Sequence, residues 1–236
     1  MKASLKEEKK LWKKGYRGVA CLDEVGRGCL AGPVVAAAVV LEPEFFNKGK
    51  SAFRKPAPFD FKILKDSKKL SPKKRKEFYK AFIRAPILEF GIGRVSERVI
   101  DRINILEATK LAMTRAIWNL ERKLRKKNPK NRKPVDYLIL DGKIKLSLPL
   151  PQKSIIKADE KVFSCAAASI VAKVRRDTLM EKRHKDYPFY GFDRHKGYAT
   201  KDHLKNLKEH SPCPLHRKSF FPVKVLADKN TVKFNN

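Results

Sequence analysis

Two runs near the start of the chain, RGVACLDEV and GPVVAAAVVL, are almost wholly apolar and rich in β-branched residues, with glycines between them. They predict two buried strands joined by a tight connection. The next stretch, EPEFFNKGKSAFRKPAPFDF, carries several prolines and no steady period, and reads as a loop. Ser71-Pro72 marks a helix start, with serine as N-cap and proline in the first helical position, and Pro86 ends that helix. LEFGIGRV alternates weakly as far as Ser96 and predicts a third strand. From Glu97 to about Lys127 comes the longest helical pattern, in which Ile100, Ile103, Leu106, Leu111, Met113, Ile117, Leu120 and Leu124 recur at helical intervals. VDYLILDG predicts a fourth strand ending at Asp141-Gly142, and KSIIKAD a fifth ending at Asp159. The segment EKVFSCAAASIVAKVRRDTLMEKRHKDYP, with alanines suited to close packing and Pro188 beyond its end, predicts a second long helix. KDHLKNLKEH predicts a shorter one, capped by Thr200 and ended by Ser211-Pro212. This order calls for an α/β fold built on a mixed five-stranded sheet flanked by helices, with a helical and irregular C-terminal segment. It divides the chain into a basic leader (1–15), a catalytic domain (16–187) and a C-terminal segment (188–236) that completes a cleft.

Charge changes the picture. The 236 residues carry a formal net charge of +31, which points to a polyanionic partner, most simply nucleic acid. Lysine dominates, 39 against 17 arginines, so a lysine-biased composition is the bland alternative. Charge therefore indicates the partner and leaves the chemistry open. Cys21, Cys29, Cys165 and Cys213 show no zinc-ligand spacing and are expected to be reduced and unpaired. The leader is charged throughout and lacks an apolar signal-peptide core, and no run approaches the ~20 apolar residues of a membrane span. A soluble, cytoplasmic monomer is expected.

Against this positive background, acids stand where strands end: Asp23 and Glu24 after the first, Asp141 after the fourth, Asp159 after the fifth. Crevices form at strand ends in such sheets, so acids distant in sequence can meet there. Adjacent strand residues point to opposite faces, so Asp23 and Glu24 share a site only if the strand ends or bulges, as Gly26 and Gly28 permit. Clustered carboxylates need protons or cations, and hard oxygen ligands select Mg²⁺ or Mn²⁺, with two ions being the phosphoryl-transfer arrangement. Asp159 could equally be a helix N-cap. Asp177 rivals it as fourth ligand, but in one continuous helix over 160–186 the two would stand roughly 27 Å apart at ~1.5 Å per residue. Asp159 is the better choice. His184, His195, His203, His210 and His216 show no ligand spacing and are assigned to packing or surface roles.

The ordered series DEVGRG, AGPVV, DSKKLS, LDG, KAD, SCAAASIVAKVRRD, KGYATKDHL and HRKSF, from about Tyr16 to Phe221, resembles bacterial type 2 ribonuclease H. Arginine between the glycines, and only about 15 residues before the first strand, favour type 2 over type 3. The resemblance implies an RNase H-like fold and hydrolysis of RNA paired to DNA. It also implies nicking of duplex DNA 5′ of embedded ribonucleotides, leaving 3′-hydroxyl and 5′-phosphate ends. By position, Asp23, Glu24, Asp141 and Asp159 match the family's catalytic metal ligands. Gly26, Arg27 and Gly28 match the loop that reads the ribose 2′-hydroxyl, and Tyr198 the tyrosine that packs on the next, deoxy, sugar. Ser67, Lys68 and Lys69 match the family's DSKKL segment and are candidates for phosphate contact. Taken singly, Arg27 could pair with Glu24, Tyr198 could be a packing aromatic, and the lysines a solvated helix lead-in. The runs KKLSPKKRK and LRKKNPKNRK would hold the duplex, and the loops at 42–62 and 121–134 look longer than a minimal form needs. A non-catalytic basic binding protein, or another nuclease of the same superfold cutting all-DNA duplexes, are the competing classes.

Overall fold

A computed structural model describes residues 3–44, 70–84, 87–131 and 133–232, with side chains described as far as 227. Five strands form one sheet: β1 (Val19–Val25), β2 (Val34–Leu41), β3 (Leu88–Val95), β4 (Tyr137–Asp141) and β5 (Gln152–Ile155). Their spatial order is β3-β2-β1-β4-β5. The β1–β2 and β2–β3 pairs are antiparallel, whereas β1–β4 and β4–β5 are parallel. The mixed sheet and its order of elements are those the hydrophobic pattern predicts.

Strand alternation divides the core into two layers. Ala20, Leu22, Val34, Ala36, Ala38 and Val40 face helix α3 (Glu97–Lys127; α1 and α2 are given below), while Cys21, Ala37, Val39 and Leu41 face α5 (Phe163–Asp186). All eight residues of β2 are buried, as a strand covered on both faces requires. On the α3 side the backbones come very close: a Cβ on Gly93 would stand 1.9 Å from the Ala112 carbonyl oxygen, and one on Gly91 2.1 Å from that of Ala116. Helix α3 is interrupted at Asn104 (φ 63°, ψ 169°), whose side-chain oxygen accepts from the N–H groups of Leu106 and Glu107 and so caps the second part. This break shifts the helical phase, which is why Leu106 is exposed.

The remaining helices are α1 (Lys6–Lys13), α2 (Pro72–Arg84), α4 (Ala158–Lys161), α6 (Phe192–His195), α7 (Lys201–His210) and α8 (Val223–Val232). The Ser71 and Thr200 caps form as predicted, each hydroxyl oxygen accepting from a backbone N–H three residues on. The leader is helical, with Leu11 and Trp12 buried against the α5 layer. Its Glu8 accepts from both the N–H and the hydroxyl of Ser164 in the first turn of α5.

Three boundaries differ from the sequence reading. The fifth strand ends at Ile155, four residues before Asp159, and Lys157 takes a left-handed conformation (φ 57°) that turns the chain into α4. The second long helix does not begin at 160, because Val162 is extended (φ −113°, ψ 123°) and bridges to Ser4. The basic tail assigned to a loop at 121–134 is helical to Lys127. Most of the 42–62 loop lies outside the described residues. Among the described residues, no helix is long and apolar enough to cross a membrane.

Candidate active site

Because β1 and β4 run parallel and pair Leu22 with Leu140, the next residues, Asp23 and Asp141, emerge side by side. The turn after β5 brings α4 back across this end of the sheet, and the Asp141 carboxylate accepts from the Ala158 N–H at 2.6 Å, at the helix start. Asp159 follows one residue later. One carboxylate oxygen from each of Asp23, Asp141 and Asp159 lies within 4.8 Å of the others. Asp23 and Asp159 are buried and Asp141 half-buried. Glu24 lies outside this trio but borders the same cleft, of ≈ 590 Å³, as Asp23 and Asp141. No bulge achieves this: the β1–β2 register is regular through Val25, and the site opens because β4 stops at Asp141.

The electrostatics follow from burial. Asp23 is pushed well above the usual carboxylate range, first by burial, then by the charges of Glu24 and Asp141, with the Ser169 hydroxyl opposing through a hydrogen bond. Glu24 is raised by burial; Arg27 opposes the rise and Asp141 adds to it. Two ionised carboxylates at this separation repel by at least roughly 3 kcal/mol at an effective dielectric constant of ~20. A divalent cation removes that repulsion, and a set of carboxylate oxygens suits Mg²⁺ or Mn²⁺. Glu24 Oε2 adds to the fit, since it is buried with no described hydrogen-bond partner. The donor set therefore fits a metal.

Beside the acids lies the glycine loop. Gly26 has φ +91°, and a Cβ there would stand 2.2 Å from Arg176 Nε, so only glycine fits. Gly28 faces open space and leaves its backbone accessible. Arg27 is exposed and pairs with Glu24 at 3.2 Å, so the ion pair weighed from sequence does form. Tyr198 lines the same cleft, 38% exposed, with Lys173 Nζ 5.4 Å and the Arg176 guanidinium 5.8 Å from its ring centre. Asp177 stays apart, paired with Lys173 at 3.0 Å and facing a neighbouring cavity. Ser67, Lys68 and Lys69 lie outside the described residues.

The structure adds Arg75, Ser169 and Lys173 to the cleft wall. Ser169 and Lys173 are four apart on α5, so they share a face, and polar positions at that spacing in the otherwise small and apolar stretch 165–174 were the available signal. The five histidines form no ligand group; His195, His203 and His216 instead make a buried stack bonded to backbone carbonyls and to one another.

Known proteins resemble this chain in sequence and in fold. A family model described as Ribonuclease HII matches residues 20–223. A curated Ribonuclease HII from Alkaliphilus oremlandii (strain OhILAs) is 44% identical over 213 residues, 90% of this chain and 95% of that protein. The solved PCNA:RNase HII complex from Archaeoglobus fulgidus superposes with TM-score 0.63 at 27% identity, covering 88% of this chain and 96% of the other. Bst-RNase HIII in complex with Mn²⁺ superposes with TM-score 0.61 at 18% identity, covering 89% and 69%, and shares the fold.

Proposed function

The chain belongs to the ribonuclease HII family and is a ribonuclease H, a metal-dependent endonuclease acting on RNA in RNA–DNA hybrids; from that premise we propose that it also nicks duplex DNA on the 5′ side of a single embedded ribonucleotide, leaving 3′-hydroxyl and 5′-phosphate ends. The observation that supports this most is one cleft lined by Asp23, Glu24, Asp141, the Gly26–Gly28 loop and Tyr198, with Asp159 within 4.8 Å of the carboxylates of Asp23 and Asp141. Acids alone would suit any phosphodiester hydrolase. The loop and the tyrosine add a place for a sugar.

In this reading Asp23, Glu24, Asp141 and Asp159 hold two Mg²⁺ or Mn²⁺ ions. The chemistry supplied at such a site would be activation of a water for attack on the scissile phosphate and stabilisation of the leaving 3′-oxygen. The chain's own groups do the rest. Ser169 donates to Asp23 and fixes its orientation. Glu24 holds the Arg27 side chain, and the open space at Gly28 lets the backbone approach the ribose, whose 2′-hydroxyl distinguishes RNA from DNA. Tyr198 offers its ring to the following deoxyribose, and Arg75 and Lys173 meet phosphate at the wall. The basic turns of α2 extend the positive surface along which a duplex would lie, whereas the Lys127 end of α3 lies at the far end of the sheet, beside Arg17 and Leu41. Ser67, Lys68 and Lys69 would contact phosphate next to α2. The leader (1–15), catalytic domain (16–187) and C-terminal segment (188–236) act together in a cytoplasmic monomer.

The test is a DNA duplex carrying one ribonucleotide, incubated with the protein and Mg²⁺ or Mn²⁺. A nick 5′ of the ribonucleotide, absent from the all-DNA control, is expected. Metal-independent binding that ignores the ribose and brings no cleavage would point to a basic binding protein instead.

A further inference from the structure

Two motifs of the chain, VRRD and HRKSF, have no part in the chemistry above, yet each places an arginine where arginine is rarely found. Arg176 and Arg217 are fully buried, and neither forms an ion pair with a described residue. Their partners are backbone carbonyls. Arg217 donates from Nη2 to Gly26 O at 2.6 Å and Gly32 O at 2.8 Å, from Nη1 to Arg27 O at 2.7 Å, and from Nε to Gly32 O at 3.0 Å. Arg176 donates to Ala31 O at 3.0 Å, Pro33 O at 2.9 Å and Lys196 O at 2.8 Å. The three carbonyls of Ala31, Gly32 and Pro33 thus go alternately to the two guanidiniums. The HRKSF segment is itself anchored, because Asp101 of α3 accepts from the N–H groups of Lys218 and Ser219.

This has a stereochemical consequence at the glycine loop. A trans peptide is planar, so its N–H points away from its own C=O. Drawing the Gly26 and Arg27 carbonyls inward to Arg217 turns the next N–H groups, those of Arg27 and Gly28, outward. Neither N–H finds an acceptor among the described residues, and all three loop residues line the cleft. Two successive N–H groups facing one space form a concave donor site for an oxygen.

We propose that Arg217, backed by Arg176, is a positioning residue that holds the Arg27 and Gly28 N–H groups toward the cleft and thereby sets the preference for ribose over deoxyribose. The inference rests on the reading of the loop as the ribose reader. Only a planar fork can serve both loop carbonyls and the Gly32 carbonyl at once; a lysine ammonium keeps the charge but not that geometry.

The experiment compares Arg217→Lys with the unmodified protein, with Ca²⁺ in place of Mg²⁺. Fluorescence anisotropy measures binding to a duplex with one ribonucleotide and to its all-DNA counterpart. Phosphate contacts cancel in the ratio of the two affinities. The ratio is expected to fall about tenfold in Arg217→Lys, a loss of ~1.4 kcal/mol in discrimination, while Mn²⁺ binding to the acids is unchanged. A folded Arg217→Lys protein that keeps the full ratio overturns the proposal. An unmodified protein with no ribose preference rejects the reading of the loop itself. A second measurement covers a variant that does not fold: in the unmodified protein, the Arg27 and Gly28 amides should exchange hydrogen rapidly and become protected by the ribonucleotide duplex, not by all-DNA. Slow exchange in the free protein, or indifference to the ribonucleotide, overturns the proposal equally.

Discussion

Two clusters of buried charge lie on either side of the Gly26–Gly28 loop. On one side are the carboxylates of Asp23, Asp141 and Asp159; on the other, the guanidiniums of Arg176 and Arg217. The arginines are fully engaged by the protein: each N–H donor set meets carbonyl oxygens at 2.6–3.0 Å. The acids repel one another, and burial raises Asp23 against ionisation. Burying a charge is tolerated when its hydrogen bonds are complete and costly when they are not. The arginine cluster therefore serves the scaffold, while the acids keep a mutual repulsion that a cation arriving from outside relieves.

The largest effects separate the clusters outright. Asp23→Asn and Asp141→Asn should each lower the cleavage rate by about 10³-fold or more, measured on a hybrid substrate. In calorimetry the same changes should raise the melting temperature of the metal-free protein, by about 2–4 °C for each ~1 kcal/mol of repulsion relieved. A drop in that temperature would break the comparison. Arg217→Met should do the reverse to stability, stranding the Gly26, Arg27 and Gly32 carbonyls at a cost of about 3 kcal/mol, read as a lowered denaturation midpoint.

Metal sharpens the contrast further. Saturating Mg²⁺ or Mn²⁺ should stabilise the unmodified protein by about 2.7 kcal/mol at 100 times the dissociation constant, and Asp23→Asn by much less. The sign of the pH dependence follows from the raised Asp23: a carboxylate that holds its proton more tightly when folded adds stability at low pH, and this is lost as pH rises through its folded value. Metal binding should displace that proton and so strengthen with rising pH, which calorimetry in buffers of different ionisation enthalpy would show.

The smallest effect concerns the histidines beside the arginines. Burial lowers His203 to about 4 and His216 to about 3, so both stay neutral in the folded chain. Because unfolded histidine takes a proton near pH 6.5, stability should decline as pH falls from about 6.5 toward 4 and level off below 3. His216→Gln should flatten that decline, as thermal melts across pH would detect.

Much of this architecture is legible in the sequence because it rests on short-range rules. Alternation gives β3, periodicity gives the start of α3 and most of its length, and the Ser71 and Thr200 caps form as their residue types require. Asp23, Asp141 and Asp159 are visible as acids following apolar runs. What escapes the sequence depends on backbone partners. Val162 interrupts the helix through a bridge to Ser4, although its side chain fits the helical pattern. Asn104 breaks α3 at a position where the apolar period looks continuous. Arg176 and Arg217 bind carbonyls, which every residue has and no motif announces. Ser169 and Lys173 show their purpose only once β1 lies beneath them.

The contact between Glu8 and Ser164 joins positions 156 residues apart. During synthesis the first helix leaves the ribosome long before its docking surface has been translated. A nascent chain stalled ahead of residue 164 leaves Trp12 and an otherwise sequestered carboxylate facing water. The amino end must therefore wait for most of the polypeptide, and the finished molecule closes on its oldest segment.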